Sequence, residues 1–245
     1  DGAFALLLED LDASGAVVPD GRDGVPVDAA AGALEDLAEL HVRYEDPARR
    51  RADAGWVPES GSGGTYGATM LAQALAEHRD RLTGPFASIA EVYIDHEPDL
   101  QVAWRQGPAT VIHGDPHIGN LFLDRGRVGF LDWGIVRVGS PLRDDGYFLT
   151  LALSIDDRRA RERDLLAHYL DVRRSLGGQP IDPDEAWRAH RLHAAYTVPA
   201  CCQIVVFPPD ISEGRRRFSE AFLARAEAAI DDLDARQALR EVTGR

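Results

Sequence analysis

VIHGDPHIGNLFLDRGRVGFLDWG, residues 111–134, packs a polar loop, two apolar runs and a returning aspartate into one short span. Val111-Ile112 is an apolar run entering a turn, and His113 to Asn120 is a loop punctuated by Gly114, Pro116 and Gly119, residue types that interrupt regular structure. Leu121-Phe122-Leu123 and Val128-Gly129-Phe130-Leu131 flank Asp124-Arg125-Gly126-Arg127, which predicts a β-hairpin with a short turn. The hairpin carries Asp132-Trp133-Gly134 back toward the loop, so one site is built from two segments.

Phosphoryl transfer asks little covalent chemistry of a protein; it needs charge neutralisation at the phosphates and one acceptor for the hydroxyl proton. Hard oxygen ligands suit the magnesium ion that does the neutralising. Asp115 as base, Asn120 as a neutral amide ligand and Asp132 as an anionic ligand form the minimum set, and their Asp-x-x-x-x-Asn spacing followed by Asp-Trp-Gly matches a kinase catalytic loop. Asp115-Pro116-His117 also fits the strand-end Asp-x-His pair of metallophosphoesterases, but no later segment supplies the Asn-His pair those sites require.

The run His-Gly-Asp-x-His-x-Gly-Asn, then a hairpin, then Asp-Trp-Gly resembles the aminoglycoside phosphotransferase, choline kinase and ecdysteroid kinase-like superfamily of small-molecule kinases. The resemblance implies an α+β fold, a protein-kinase-like C-terminal lobe that is mainly helical with a small β-hairpin beside the catalytic loop. It also implies ATP and Mg²⁺ as cofactors, with Asp115 as catalytic base and Asn120 and Asp132 holding the metal. His113 and His117 would support the loop, and Asp144 would be the aspartate that braces it from behind. Ala3 to Leu8, ending at Glu9-Asp10-Leu11, resembles the last strand of an N-terminal lobe and its hinge, so Glu9 and Leu11 are the expected adenine contacts. On this reading residues 1–11 close an N-terminal lobe whose remainder lies outside this chain, and residues 12–245 form the catalytic and substrate-binding lobe. Late helices often shape the acceptor pocket in this superfamily, which nominates Trp187, His193 and Tyr196.

Composition narrows the remaining choices. The chain has 245 residues, 27 arginines, no lysine and a net charge of −14. That balance argues against nucleic acid, whose phosphates would be repelled, and favours a cationic small-molecule acceptor. The lysine that grips the α- and β-phosphates in kinases is therefore not in this sequence, and neither is a kinase-type glycine-rich loop: Glu59 to Gly67 has Tyr66 where the last glycine would stand and reads as a connection before a helix. Those two absences support the alternative of a non-catalytic pseudokinase or nucleotide-binding scaffold. Cys201 and Cys202 are adjacent, poor geometry for a disulfide. With no membrane-length apolar run or signal segment, a cytoplasmic location is expected.

Outward from the centre, apolar periodicity predicts a helix from an Asp28 cap to about Glu45 with His41 on its core face, and helices over 69–82 and 85–105, the latter kinked near Pro98. Ser140-Pro141 predicts the start of another, with Asp144 in its first turn. Helices over 156–176, with Arg158, Arg159, Arg161 and Arg163 on a solvated face, from the Asp182 cap, and over 212–239 complete the reading.

Overall fold

The computed structural model describes residues 5, 7–59, 66–206 and 212–244. Helices α1 (Leu11–Ser14), α2 (Val27–Arg43), α3 (Pro47–Ala54), α4 (Tyr66–Glu77) and α5 (Gly84–Ala103) precede strands β1 (Thr110–Ile112), β2 (Leu121–Asp124), β3 (Arg127–Phe130) and β4 (Arg137–Gly139). Then follow α6 (Pro141–Ala152), α7 (Ile155–Ser175), α8 (Pro183–Tyr196), α9 (Val198–Val206), α10 (Glu213–Asp232) and α11 (Ala235–Thr243). No helix of the described residues is long and apolar enough to cross a membrane.

The molecule packs around α6, whose twelve residues are all buried. A helix without a solvent face must be covered on every side, and two apolar clusters do so. Tyr147 and Leu151 face the first, built from α4, α5 and α8 to α11 with Leu71, Ile89, Leu100 and Ile230 at its centre. Phe148 and Leu149 face the second, built from α2, the hairpin and α7 with Leu34, Leu37, Leu121 and Tyr169. A proline at the first position of α6 starts the helix with φ already set.

The strands form two antiparallel pairs. β1 lies against β4 with Val111 opposite Val138, and β2 against β3 with Leu121 opposite Phe130. The hairpin turns on Arg125 and Gly126, whose φ values of 49° and 81° are those of a primed two-residue turn, the twist that matches paired strands. Val17 exchanges two backbone hydrogen bonds of 2.8 Å with Leu123 and so extends the hairpin's edge.

Three elements differ from expectation. Pro26, not Asp28, occupies the cap position of α2, and Asp28 sits in the first turn, where its charge still favours the helix dipole. The final helix breaks at Asp234, which adopts φ +48° between α10 and α11. Arg158 is only 1 % exposed, so it does not belong to a solvated face; it is held by carboxylates from its own helix and from α10. The kink in α5 falls at His96, two residues before Pro98, where the ring deprives the helix of a hydrogen bond.

Candidate active site

The loop between β1 and β2 is anchored from behind by Asp144, a fully buried carboxylate in the first turn of α6. Its Oδ2 accepts the His113 backbone N–H at 2.6 Å, and its Oδ1 accepts that of Gly114 at 2.9 Å. His41 of α2 stands 3.3 Å away through Nε2, while its Nδ1 lies 2.7 Å from the Tyr169 hydroxyl. The hydroxyl donates to Nδ1, so the ring proton sits on Nε2 and faces the aspartate. Burial lowers the His41 pKa and keeps the ring neutral. Burial alone would raise Asp144, yet the hydrogen bond from His41 and those from the loop amides outweigh it, and the pKa is lowered.

His113 ties the loop to the second segment. Its Nδ1 accepts the Asp115 backbone N–H at 3.2 Å, which leaves Nε2 to donate to the Leu131 carbonyl at 2.8 Å. The Leu131 N–H donates to the Asn120 carbonyl at 2.7 Å, so the residue before Asp132 is bonded to both ends of the loop. Gly114 is what lets the segments meet: its φ is +91°, and a Cβ there would stand 2.8 Å from the Ile135 carbonyl oxygen. Asp132 itself is left-handed, φ +53°, and exposed, with Oδ1 accepting the Gly134 N–H at 3.3 Å. Aspartate tolerates that conformation better than most side chains.

Asn120 has its amide orientation fixed by Asp115. Its Nδ2 donates to the Asp115 backbone oxygen at 3.0 Å and to the carboxylate Oδ2 at 3.1 Å, so the oxygen Oδ1 is the atom turned to other partners. His117 accepts the Gly119 N–H on Nδ1 at 3.0 Å, which puts its proton on Nε2, 3.5 Å from Asp115 Oδ2. Burial acts to raise the Asp115 pKa, but the facing His117, the Tyr147 hydroxyl and His113 outweigh it and hold the carboxylate below its ordinary range. It is ionised at neutral pH.

A cavity of about 390 Å³ opens at Asp115, walled by α5, β4, the start of α6 and α9. Of the late-helix residues nominated from sequence, Tyr196 lines it. Trp187 instead stacks under the Arg163 guanidinium at 3.7 Å, and His193 is buried against Gly146, with burial pulling its pKa down to about 3. Glu9 is exposed and Leu11 opens α1; of the apolar run before them, residues 3, 4 and 6 lie outside the described residues, while Ala5, Leu7 and Leu8 form no strand and are exposed, Leu7 at 97 % and Leu8 at 74 %. Residues 60–65 of the glycine-rich connection lie outside them too, while Gly67 reaches the cavity wall.

Sequence reasoning missed Tyr147, Arg137 and Arg143 in the cavity wall and His41 and Tyr169 behind Asp144. None carries a local signal, because helix packing brings in all but Arg137, which β4 pairing with β1 places. Among the described residues no group of three or more His, Cys, Asp or Glu side chains is assembled for a metal. Asn120 and Asp132 offer two hard oxygen donors, a set that suits an ion completed by phosphate oxygens and waters.

A mainly helical α+β lobe with a hairpin beside an Asp-x-x-x-x-Asn loop defines the class: small-molecule-kinase-like phosphotransferases. Residues 2–193 match the model of the phosphotransferase enzyme family APH, and the chain belongs to that family. Choline kinase LicA from Streptococcus pneumoniae superposes with a TM-score of 0.55 over 94 % of this chain and 73 % of that one, at 14 % identity. A choline/ethanolamine kinase family protein from Mesorhizobium loti gives 0.53 over 91 % and 70 %, at 16 % identity. At such identities the likeness is one of fold. Protein StrN from Streptomyces griseus is 29 % identical over 106 residues, 43 % of this chain; the match spans about a third, 31 %, of that curated relative.

Proposed function

We propose that this chain carries the catalytic and acceptor-binding site of an ATP-dependent phosphotransferase that moves the γ-phosphoryl group to a hydroxyl of a small molecule. One observation supports this above the rest: the Asn120 amide is locked onto Asp115 by two hydrogen bonds, while the backbone of Leu131 ties Asp132 to the same loop. Family membership and the kinase names of its structural neighbours point the same way.

In this mechanism Asp115 orients the acceptor hydroxyl and takes its proton as the new O–P bond forms and the bond between the γ-phosphorus and the β–γ bridging oxygen breaks, releasing ADP. Its lowered pKa makes it a weak base, which suits a transition state with little bond formation to the nucleophile; its main contribution is placement. Asn120 Oδ1 and the Asp132 carboxylate would hold Mg²⁺. When bound, that ion neutralises phosphate charge. Glu9 and Leu11 would meet adenine. The scaffold alternative keeps its two arguments, the absence of lysine and of a kinase-type glycine-rich loop from the sequence.

ADP release from ATP and Mg²⁺ across a panel of hydroxylated compounds tests the reading. Asp115→Asn is expected to lower turnover about 10²- to 10⁴-fold while nucleotide affinity stays within about twofold, since no proposed nucleotide contact is removed. Unchanged turnover in that variant, or no acceptor-dependent ADP release by the wild type, rejects the enzyme reading and favours the scaffold.

A further inference from the structure

The cavity beside Asp115 has a charge pattern that the whole-chain balance hides. In a molecule of net charge −14, its wall holds Arg105, Arg137 and Arg143 against two carboxylates, Glu97 and Asp115. Asp115 already faces His117 and Asn120.

Arg143 is 8 % exposed and lies with its guanidinium 4.0 Å over the Tyr196 ring, hydrogen-bonded to the Tyr196 hydroxyl. Among the described residues no carboxylate pairs with it within 4.0 Å. Arg137 has no such partner either; its Nε donates to the Ile135 carbonyl at 3.0 Å. The two cations repel, and burial together with Arg143 lowers the Arg137 pKa.

Three donors in the same wall lack partners: Arg143 Nε, Trp104 Nε1 and Ser140 Oγ, in side chains 8 %, 3 % and 2 % exposed. Ser140 is also the cap residue of α6 and makes no side-chain cap bond. The positive end of a twelve-residue helix therefore opens on the cavity, an arrangement suited to anions.

We infer that the acceptor is a hydroxylated oxyanion, a compound of about monosaccharide size whose carboxylate or phosphate group docks on Arg137, Arg143 and the α6 N-terminus while its hydroxyl meets Asp115. This rests on the phosphotransferase reading and replaces the cationic acceptor expected from net charge. It sets the site's polarity: the fixed anion at one end holds the reacting hydroxyl at the other. Phosphoryl transfer then runs from ATP to that hydroxyl, the proton passing to Asp115 and ADP leaving.

Trp104 in the wall supplies a fluorescence readout that needs neither ATP nor Mg²⁺. The full chain is titrated with glucuronate, glucose 6-phosphate and inorganic phosphate, with glucose as the neutral control. At least one anion should bind tenfold or more tighter than glucose, and the rank of glucuronate against the two phosphates tells carboxylate from phosphate. Arg137→Gln and Arg143→Gln should each weaken that anion at least tenfold, Arg143→Lys should restore part of it, and Asp132→Asn should leave it within twofold. Arg137 is the more exposed of the two, so its variant keeps the test valid if Arg143→Gln fails to fold. Anions that bind no tighter than glucose, or wild-type anion affinity in Arg137→Gln, overturn the inference and leave phosphoryl transfer standing. Anion binding in a protein that transfers no phosphoryl group does the reverse.

Discussion

Asp144 shows how much one side chain carries at this site. Two backbone amides and a neutral imidazole converge on its carboxylate, and an amide side chain could offer them only one acceptor atom. Asp144→Asn should therefore cost about 3–5 kcal/mol, as for breaking a buried charged network, and loosen the loop that holds Asp115. Urea unfolding checks the first effect, and acceptor turnover at a temperature where the variant is folded checks the second. The pH dependence has a definite sign. A depressed carboxylate pKa contributes stability fully present above the unfolded value of 3.8 and lost as pH falls through the folded one; the variant should lack that acid limb. The Asp115, Asn120 and Asp132 set was legible in the sequence because a loop and a hairpin place it within one continuous segment. Arg143 was not, because it stands beside Asp144 in a helix whose every residue is buried, and only the approach of α8, whose Tyr196 holds its guanidinium, makes it part of a cavity wall.

At the scale of the element, α6 combines a charge the fold needs with one it suppresses. Asp145 follows Asp144, is 1 % exposed, and neither of its carboxylate oxygens has a partner. Burial first, and the neighbouring Asp144 charge second, push its pKa up to about 8. In the unfolded chain the same group titrates near 3.8, so between these values the folded state binds more protons and stability falls as pH rises. Asp145→Asn removes that proton requirement. One pKa unit is worth about 1.4 kcal/mol, so the variant should gain at least that near neutrality, a Tm higher by about 3–6 °C, with the gain shrinking toward pH 4. Melting curves across that range decide it; a gain that does not vary with pH would locate Asp145 ionised in the fold. The start of α6 was readable from Ser140-Pro141, since caps are local chemistry. That α6 lacks a solvent face was not: Arg143, Asp144 and Asp145 are charged residues of a first turn, and only the two apolar clusters closing around the helix bury them.

Across the whole molecule, the helices behind the site are joined by an ion network centred on Arg158. It donates to Glu162 at 2.9 Å and pairs with Asp232 of α10, which also accepts from Arg159 at 2.7 Å, while Glu162 stands 3.1 Å from His190 of α8. Three helices thus share one charge cluster, with Arg158 itself 1 % exposed. Removing the cation alone, as in Arg158→Met, leaves the buried Glu162 with a single imidazole partner and should destabilise the protein by about 3–5 kcal/mol. Replacing both partners, Arg158→Met with Glu162→Met, should recover most of that loss, because a buried pair contributes less than the penalty of orphaning either member. The two single variants and the double form a cycle whose coupling energy urea midpoints measure directly. Additive losses would show that Asp232 and His190, not the Arg158–Glu162 pair, carry the connection between α7, α8 and α10. Burial acts to raise the Glu162 pKa, but His190 and Arg158 outweigh it and lower the pKa, so its contribution is complete above the ordinary 4.5 and fades as pH falls through the depressed value. In Arg158→Met that acid-side loss should begin at higher pH than in the wild type, because one of the groups holding Glu162 ionised is gone.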